Sequence, residues 1–194
     1  MAIGSARTVS VVLTVLLVLA LLSGGAGMVL DNAYEVRVST VIEAPVEAIL
    51  PFVESPRQHV AWLGWNDEAD PTLRRTYEGP ASGRGARVDW VGEGFGRGAL
   101  RITSADAQGV EWQQTLPAGV RSQGWVRWQA LSPERTRVTY SERGTIPRPH
   151  GPYFVGTLER VLTPQAERAL AYLAAAAEGR PPPPREATPT SGSR

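Results

Sequence analysis

The stretch Tyr153–Glu178, YFVGTLERVLTPQAERALAYLAAAAE, decides how the rest of the chain is read. Within it Leu158, Val161, Leu162, Ala166, Ala169, Leu170, Leu173 and Ala177 recur at steps of three and four, and Glu159, Arg160, Glu167 and Arg168 fall between them. That spacing predicts one amphipathic helix. Pro164 lacks a backbone donor and crowds the carbonyl four residues back, so a kink is expected there, or a restart capped by Thr163. Gly179 and four consecutive prolines end the helix. So wide an apolar stripe must be buried against something, and between Tyr34 and Glu142 the chain reads as antiparallel strands apart from two short helices. The expectation is a sheet wrapped round the last helix.

Moving outward from that helix, six segments alternate in polarity and are separated by turn residues: Leu73–Tyr77, Ala86–Val91, Ala99–Ala105, Gly109–Leu116, Gly124–Ala130 and Arg137–Glu142. Strands of this length and spacing, with no helical pattern between them, predict an antiparallel meander. Val88 with Trp90, Leu100 with Ile102, Trp112 with Leu116, Val126 with Trp128, and Val138 with Tyr140 share a face within each strand, and that face is expected to receive the helix. Upstream, Val46, Ile49, Leu50 and Val53 have helical spacing after Pro45, which suits a first helical turn. Gln58–Trp65 predicts a second short helix with Trp62 and Trp65 on one side. Tyr34–Ile42 alternates as a strand, with Tyr34, Val36, Val38, Thr40 and Ile42 on one face and Glu35, Arg37 and Ser39 on the other.

Val9–Leu30 is a run of 22 residues without a charge. As a helix it is about 33 Å long, enough for a hydrocarbon core of about 30 Å. Two readings follow: a retained transmembrane anchor, which the length favours, or a signal peptide cut after Ala26, with Val9–Leu22 as its apolar core. Either reading exports the rest of the chain, with Arg7 left on the cytoplasmic side. The chain divides into residues 1–30 (anchor or signal peptide), 31–178 (the folded domain) and 179–194, a disordered Pro-rich tail with no large apolar residue to fold on.

Composition excludes several functions. The 194 residues carry 20 basic and 19 acidic side chains, a net charge of +1. The two signs alternate along the chain, so no nucleic-acid footprint is expected. All basic residues are Arg, and Cys is absent. Disulfides, a catalytic thiolate and thiolate metal sites are thereby excluded. His59 and His150 are far apart and lack a carboxylate at motif spacing, so neither a metal nor a cofactor is expected.

Taken in order, "VSTVIEAPVEAILPFV", "HVAWLGWNDEADP", "YEGPASGRGARVDWVGEGFGRGALRIT" and "ALSPERTRVTYSERG" resemble the first strand and helix, the aromatic second helix, the glycine-turned middle strands and the last hairpin of the START-like, or SRPBCC, superfamily. The polyketide cyclase/dehydrase-like branch is the nearest group. The resemblance spans about residues 34–178 and implies an α+β helix-grip fold: a curved antiparallel sheet wrapped round a long C-terminal helix, here with an N-terminal transmembrane helix added. It also implies an apolar cavity between sheet and helix. Its lining is expected to include Trp90, Trp112, Gln114, Trp128 and Tyr140 from the sheet and Leu158, Leu162, Ala166 and Ala169 from the helix, with Trp62 and Trp65 at one mouth.

Other candidates have plainer readings. Gly83-Arg-Gly85 and Gly94-Phe-Gly96-Arg-Gly98 lead into strands rather than helices and are read as hairpin turns, not a phosphate loop. Asp89 lies on the face opposite Trp90. Glu142 is in phase with Tyr140, which would bring it to the cavity rim, but it sits at the end of its predicted strand, where exposure is the favoured expectation. Gln114 is expected to be satisfied by neighbouring backbone or to orient a ligand. No residue earns a catalytic label. The expected function is a membrane-tethered, exported domain, single-pass and extracytoplasmic, that binds a hydrophobic small molecule or lipid. The alternatives are a cyclase- or dehydratase-type enzyme and a non-enzymatic envelope interaction protein with a filled core. An ionisable group inside the cavity would favour the enzyme, and strand parity reveals none.

Overall fold

The structure is a computed structural model and describes residues 3–64 and 70–184. In chain order it contains α1 (Ile3–Val29), β1 (Ala33–Ile42), α2 (Val46–Val53), α3 (Pro56–Trp62), β2 (Arg74–Glu78), β3 (Arg87–Gly92), β4 (Gly96–Asp106), β5 (Gly109–Thr115), β6 (Arg121–Ser132), β7 (Arg135–Thr145) and α4 (Val155–Ala177). The seven strands form one antiparallel sheet in the order β1-β7-β6-β5-β4-β3-β2. Strands β2 to β7 are therefore a meander, and β1 closes it by pairing with β7. This curved sheet and the long helix it grips are the helix-grip fold.

The core lies between the sheet's inner face and the helices. Val36, Ile42, Val88, Leu100, Ile102, Trp112, Val126 and Val138 from the strands meet Ile49 and Val53 of α2, Trp62 of α3 and Ala166, Ala169, Leu170 and Leu173 of α4. Helix α4 also guards the free edge of β1, where unpaired backbone donors would otherwise invite another strand. Glu159 accepts a hydrogen bond from the backbone N–H of Glu35 at 2.9 Å, and Glu178 accepts one from Glu43 at 2.9 Å.

Three features differ from expectation. Helix α4 does not restart after Thr163 but continues through Pro164. The proline sits on the exposed side, where solvent can satisfy the carbonyl that loses its partner, and Thr163 is no cap: its hydroxyl donates back to the Glu159 carbonyl at 2.8 Å. Val161, assigned to the buried stripe, is half exposed at 51%. Gly98 belongs to β4 rather than to a turn, whereas Gly83, Gly85 and Gly96 do take positive φ.

Gly98 belongs instead to a repeated packing device. Register places Trp90 opposite Gly98, Trp112 opposite Gly124 and Tyr34 opposite Gly144. In each pair the aromatic ring occupies the space beside the glycine that a side chain would need: a Cβ on Gly124 would come within 2.3 Å of the Trp112 indole, and one on Gly98 within 2.1 Å of Trp90. The rings are thereby laid along the inner face.

Candidate functional site: a buried carboxyl cluster

At the end of the inner face nearest α1, four strands converge on one carboxyl group. Glu142 of β7 is only 7% exposed. Its Oε1 accepts hydrogen bonds from the Tyr34 hydroxyl and the Gln114 amide, both at 2.9 Å, and its Oε2 accepts one from the Tyr140 hydroxyl at 2.6 Å. Tyr34 comes from β1, Gln114 from β5, and Ser122 of β6 is buried alongside. Three neutral donors and, among the described residues, no ion-pair partner meet the group, so the site is built to hold an acceptor without an ion pair. Burial, reinforced by the Glu142 charge, holds the Tyr34 and Tyr140 hydroxyls well above the ordinary tyrosine range. They are donors at any physiological pH.

The expectation that Glu142 is exposed is wrong, as is the inference that no ionisable group faces inward. Strand β7 continues to Thr145, so Glu142 is flanked by β1 on one side and β6 on the other. Gln114 is satisfied by a side chain rather than by backbone, and only in part.

Its Oε1 has no partner, nor have Ser122 Oγ and Trp112 Nε1, although all are buried. Ser122 Oγ adjoins the Tyr34 hydroxyl without a well-formed hydrogen bond. An unsatisfied buried polar group costs about 1 to 3 kcal/mol, so several close together are unusual in a simply packed core.

An aromatic group adjoins the cluster. Trp112, fully buried, lies 4.9 Å from His59 and 5.8 Å from Tyr140, ring centre to ring centre, and Trp62 lies 6.3 Å from Tyr140. The Trp62 indole donates to the Phe52 carbonyl at 3.0 Å. His59 makes no well-formed hydrogen bond through either nitrogen, and burial pushes it down to about 4, opposed weakly by the Val53 carbonyl. It is a neutral core ring near neutral pH.

The remaining expected lining residues are dispersed. Trp90 is buried over Gly98, and Ala166 and Ala169 are buried on α4. Leu162 packs at the margin of the core, and Leu158 is half-buried. Trp128 is also partly buried, its indole turned to the Ala107 carbonyl at 3.0 Å. Trp65 lies outside the described residues. Asp89 faces away from the core, as parity requires, and pairs with Arg87, which holds its carboxyl below the usual range.

Sequence reasoning missed Tyr34, read only as an alternating strand residue, and Asp70. The latter receives the Thr72 hydroxyl at 2.6 Å and the backbone N–H groups of Thr72, Gly94 and Phe95, and these bonds keep its carboxyl below the ordinary range. Its role is to pin the β3–β4 turn to the segment before β2.

The arrangement of sheet, short helices and gripping helix recurs widely among solved structures, although no family model and no curated protein matches the chain. The di-domain aromatase/cyclase StfQ of steffimycin biosynthesis is 14% identical over 77% of this chain and 52% of its own, with a TM-score of 0.58. The Zhui aromatase/cyclase from a Streptomyces species is 17% identical over 75% of this chain and 94% of its own, with a TM-score of 0.55. A norcoclaurine synthase point mutant from Thalictrum is 13% identical over 76% and 95%, with a TM-score of 0.54. These likenesses, all below 25% identity, show the helix-grip fold alone.

Proposed function

We propose that the chain is a membrane-tethered, exported domain that binds a hydrophobic small molecule or lipid between the sheet and α4, with the ligand's polar group presented to the Glu142 cluster. The observation that carries this reading is the set of unpartnered buried atoms, Gln114 Oε1, Ser122 Oγ and Trp112 Nε1, around a carboxyl that already has three donors. Each of these atoms has hydrogen-bonding capacity left for a polar group of a ligand. The apolar inner face supplies the rest of the contact.

Tethering is supported by α1, whose Thr8–Val29 segment is long and apolar enough to cross a membrane. Its far end is seated on the domain. The Tyr153 hydroxyl donates to the Ser23 carbonyl at 2.6 Å, and the Arg148 guanidinium donates to the carbonyls of Met28 and Leu30. Gly27 leaves no space: a Cβ there would lie 1.8 Å from the Pro149 carbonyl oxygen. Cleavage after Ala26 would remove part of this seat, which favours a retained anchor. On this reading residues 31–178 are the exported domain and residues 179–194 a tail.

Glu142 is the inward ionisable group that would favour a cyclase- or dehydratase-type enzyme, but both its oxygens are taken by protein donors. The second reading is therefore a filled-core interaction protein, favoured by the close packing of Trp112, His59, Trp62 and Tyr140. The two separate in a melting experiment on the delipidated full-length chain. Lipid extract from the native host should raise the melting temperature of the wild type and leave Glu142→Gln unmoved. Equal responses, or none in either, would favour the filled core.

A further inference from the structure

The outer face of the same strands carries a second candidate. Register aligns Arg87, Arg101, Gln113, Gln123 and Arg143 across β3 to β7. The neighbouring outward row is Ala99, Thr115, Arg121, Thr145 and Ala33. Long side chains in one row and mostly small ones in the other, with the intervening strand residues Gln114, Ser122 and Gly144 between them, line a concavity of about 760 Å³. Its lining holds four arginines and no carboxylate, in a chain whose charges nearly cancel at 20 basic to 19 acidic.

Most of the nearby counter-charge is already engaged or stands aside. Arg87 is committed to Asp89, and Glu35, which pairs with Arg143 across the β1–β7 ladder, is outside the lining. Arg143 donates to Gln123 at 3.1 Å and covers the Trp125 ring at 5.3 Å. Arg101 and Arg121 have no hydrogen-bond or ion-pair partner among the described residues. Arg101 also stands directly opposite Arg87, an arrangement of like charges that destabilises a sheet unless something negative lies between them. A concave surface with free guanidinium groups, amides and hydroxyls suits a phosphate, which takes planar, forked donors well.

We infer that this outer groove binds a phosphate-bearing anion, held chiefly by Arg101 and Arg121 with Thr115 and Gln113 as neutral donors. Ala33, in its wall, follows the last residue of α1 by four positions, so at about 3.3 Å per residue the groove opens within about 13 Å of the helix end. If α1 spans a membrane, as the proposed function holds, lipid headgroups are the nearest source of phosphate. The chemistry itself does not depend on the tether.

The experiment follows the side-chain Nε–H signals of the arginines by NMR in the full-length chain. Three additions are compared: inorganic phosphate, glycerol 3-phosphate, and phosphatidylglycerol in phosphatidylcholine nanodiscs. Saturable shifts at Arg101 and Arg121, with little change at Arg137 on the distal part of the same face, are expected. The double variant Arg101→Gln/Arg121→Gln should weaken binding by about tenfold or more while keeping the native spectrum elsewhere. A response to phosphatidylglycerol alone assigns the site to lipid headgroups, and a response to the soluble phosphates assigns it to a free anion. If the tether reading fails, the soluble arms still report. No shift in any arm, or equal shifts at Arg137, overturns the inference.

Discussion

The two faces of strands β5, β6 and β7 solve opposite electrostatic problems within one thickness of sheet. Inward, Glu142 is buried and receives three neutral donors. Outward, Arg121, Gln123 and Arg143 line an open groove in water. A buried acceptor must have its donors supplied by the fold, because desolvation penalises any that are missing, whereas an exposed guanidinium is satisfied by solvent. The inner cluster should therefore tie stability to its exact chemistry, and the outer row should be nearly indifferent to it.

The largest effect is expected where charge enters the apolar part of the inner layer. Leu170, 2% exposed on α4, belongs to the apolar core, so Leu170→Asp should cost more than about 4 kcal/mol and abolish the cooperative melt. A folded variant of normal stability would show that the gripping helix is out of phase. Next comes Glu142→Ala, which leaves the hydroxyls of Tyr34 and Tyr140 and the Gln114 amide without their acceptor. A loss of about 3 to 5 kcal/mol by urea denaturation is expected, with Glu142→Gln milder. A loss below about 1 kcal/mol would mean that the cluster is not held as described.

His59 gives the comparison a pH axis. Its folded value, about 4, is below the ordinary 6.5, so below pH 6.5 the unfolded chain takes up a proton that the folded chain refuses. Stability should fall between about pH 6.5 and 4, by about 3 kcal/mol in total, and this contribution vanishes above that window. Denaturation of wild type and His59→Leu across the window should show the smaller slope in the variant; parallel curves would contradict the assignment. At the other extreme, Arg121→Gln on the outer face should shift stability by no more than about 0.5 kcal/mol in the absence of a ligand.

The architecture was readable because it rests on local periodicity. Alternation in Tyr34–Ile42 and the three-four spacing after Leu158 survive small boundary errors. The candidate site was far less legible. Ending β7 at Glu142 instead of Thr145 turned a buried, flanked carboxyl into an exposed strand end. Parity did place Gln114 and Tyr140 inward, but which side chains meet across four strands depends on register, and register is a long-range property. The same holds for the aromatic rings over Gly98, Gly124 and Gly144: Gly98 reads as a turn residue in the sequence, and the pairing of each glycine with a ring depends on its cross-strand partner. In the groove, Arg101, Arg121 and Arg143 fall on three strands, so a chain of balanced charge hid a local excess.

The most direct test of the central claim, that the Glu142 cluster is the polar end of a ligand site, is native mass spectrometry of the full-length chain purified from its own host in detergent. The expected result is a stoichiometric apolar adduct, released by denaturation and absent from Glu142→Gln. An adduct-free wild-type mass, with Glu142, Tyr34, Tyr140 and Gln114 still bonded to one another, would contradict it and leave the inner face as a packed core.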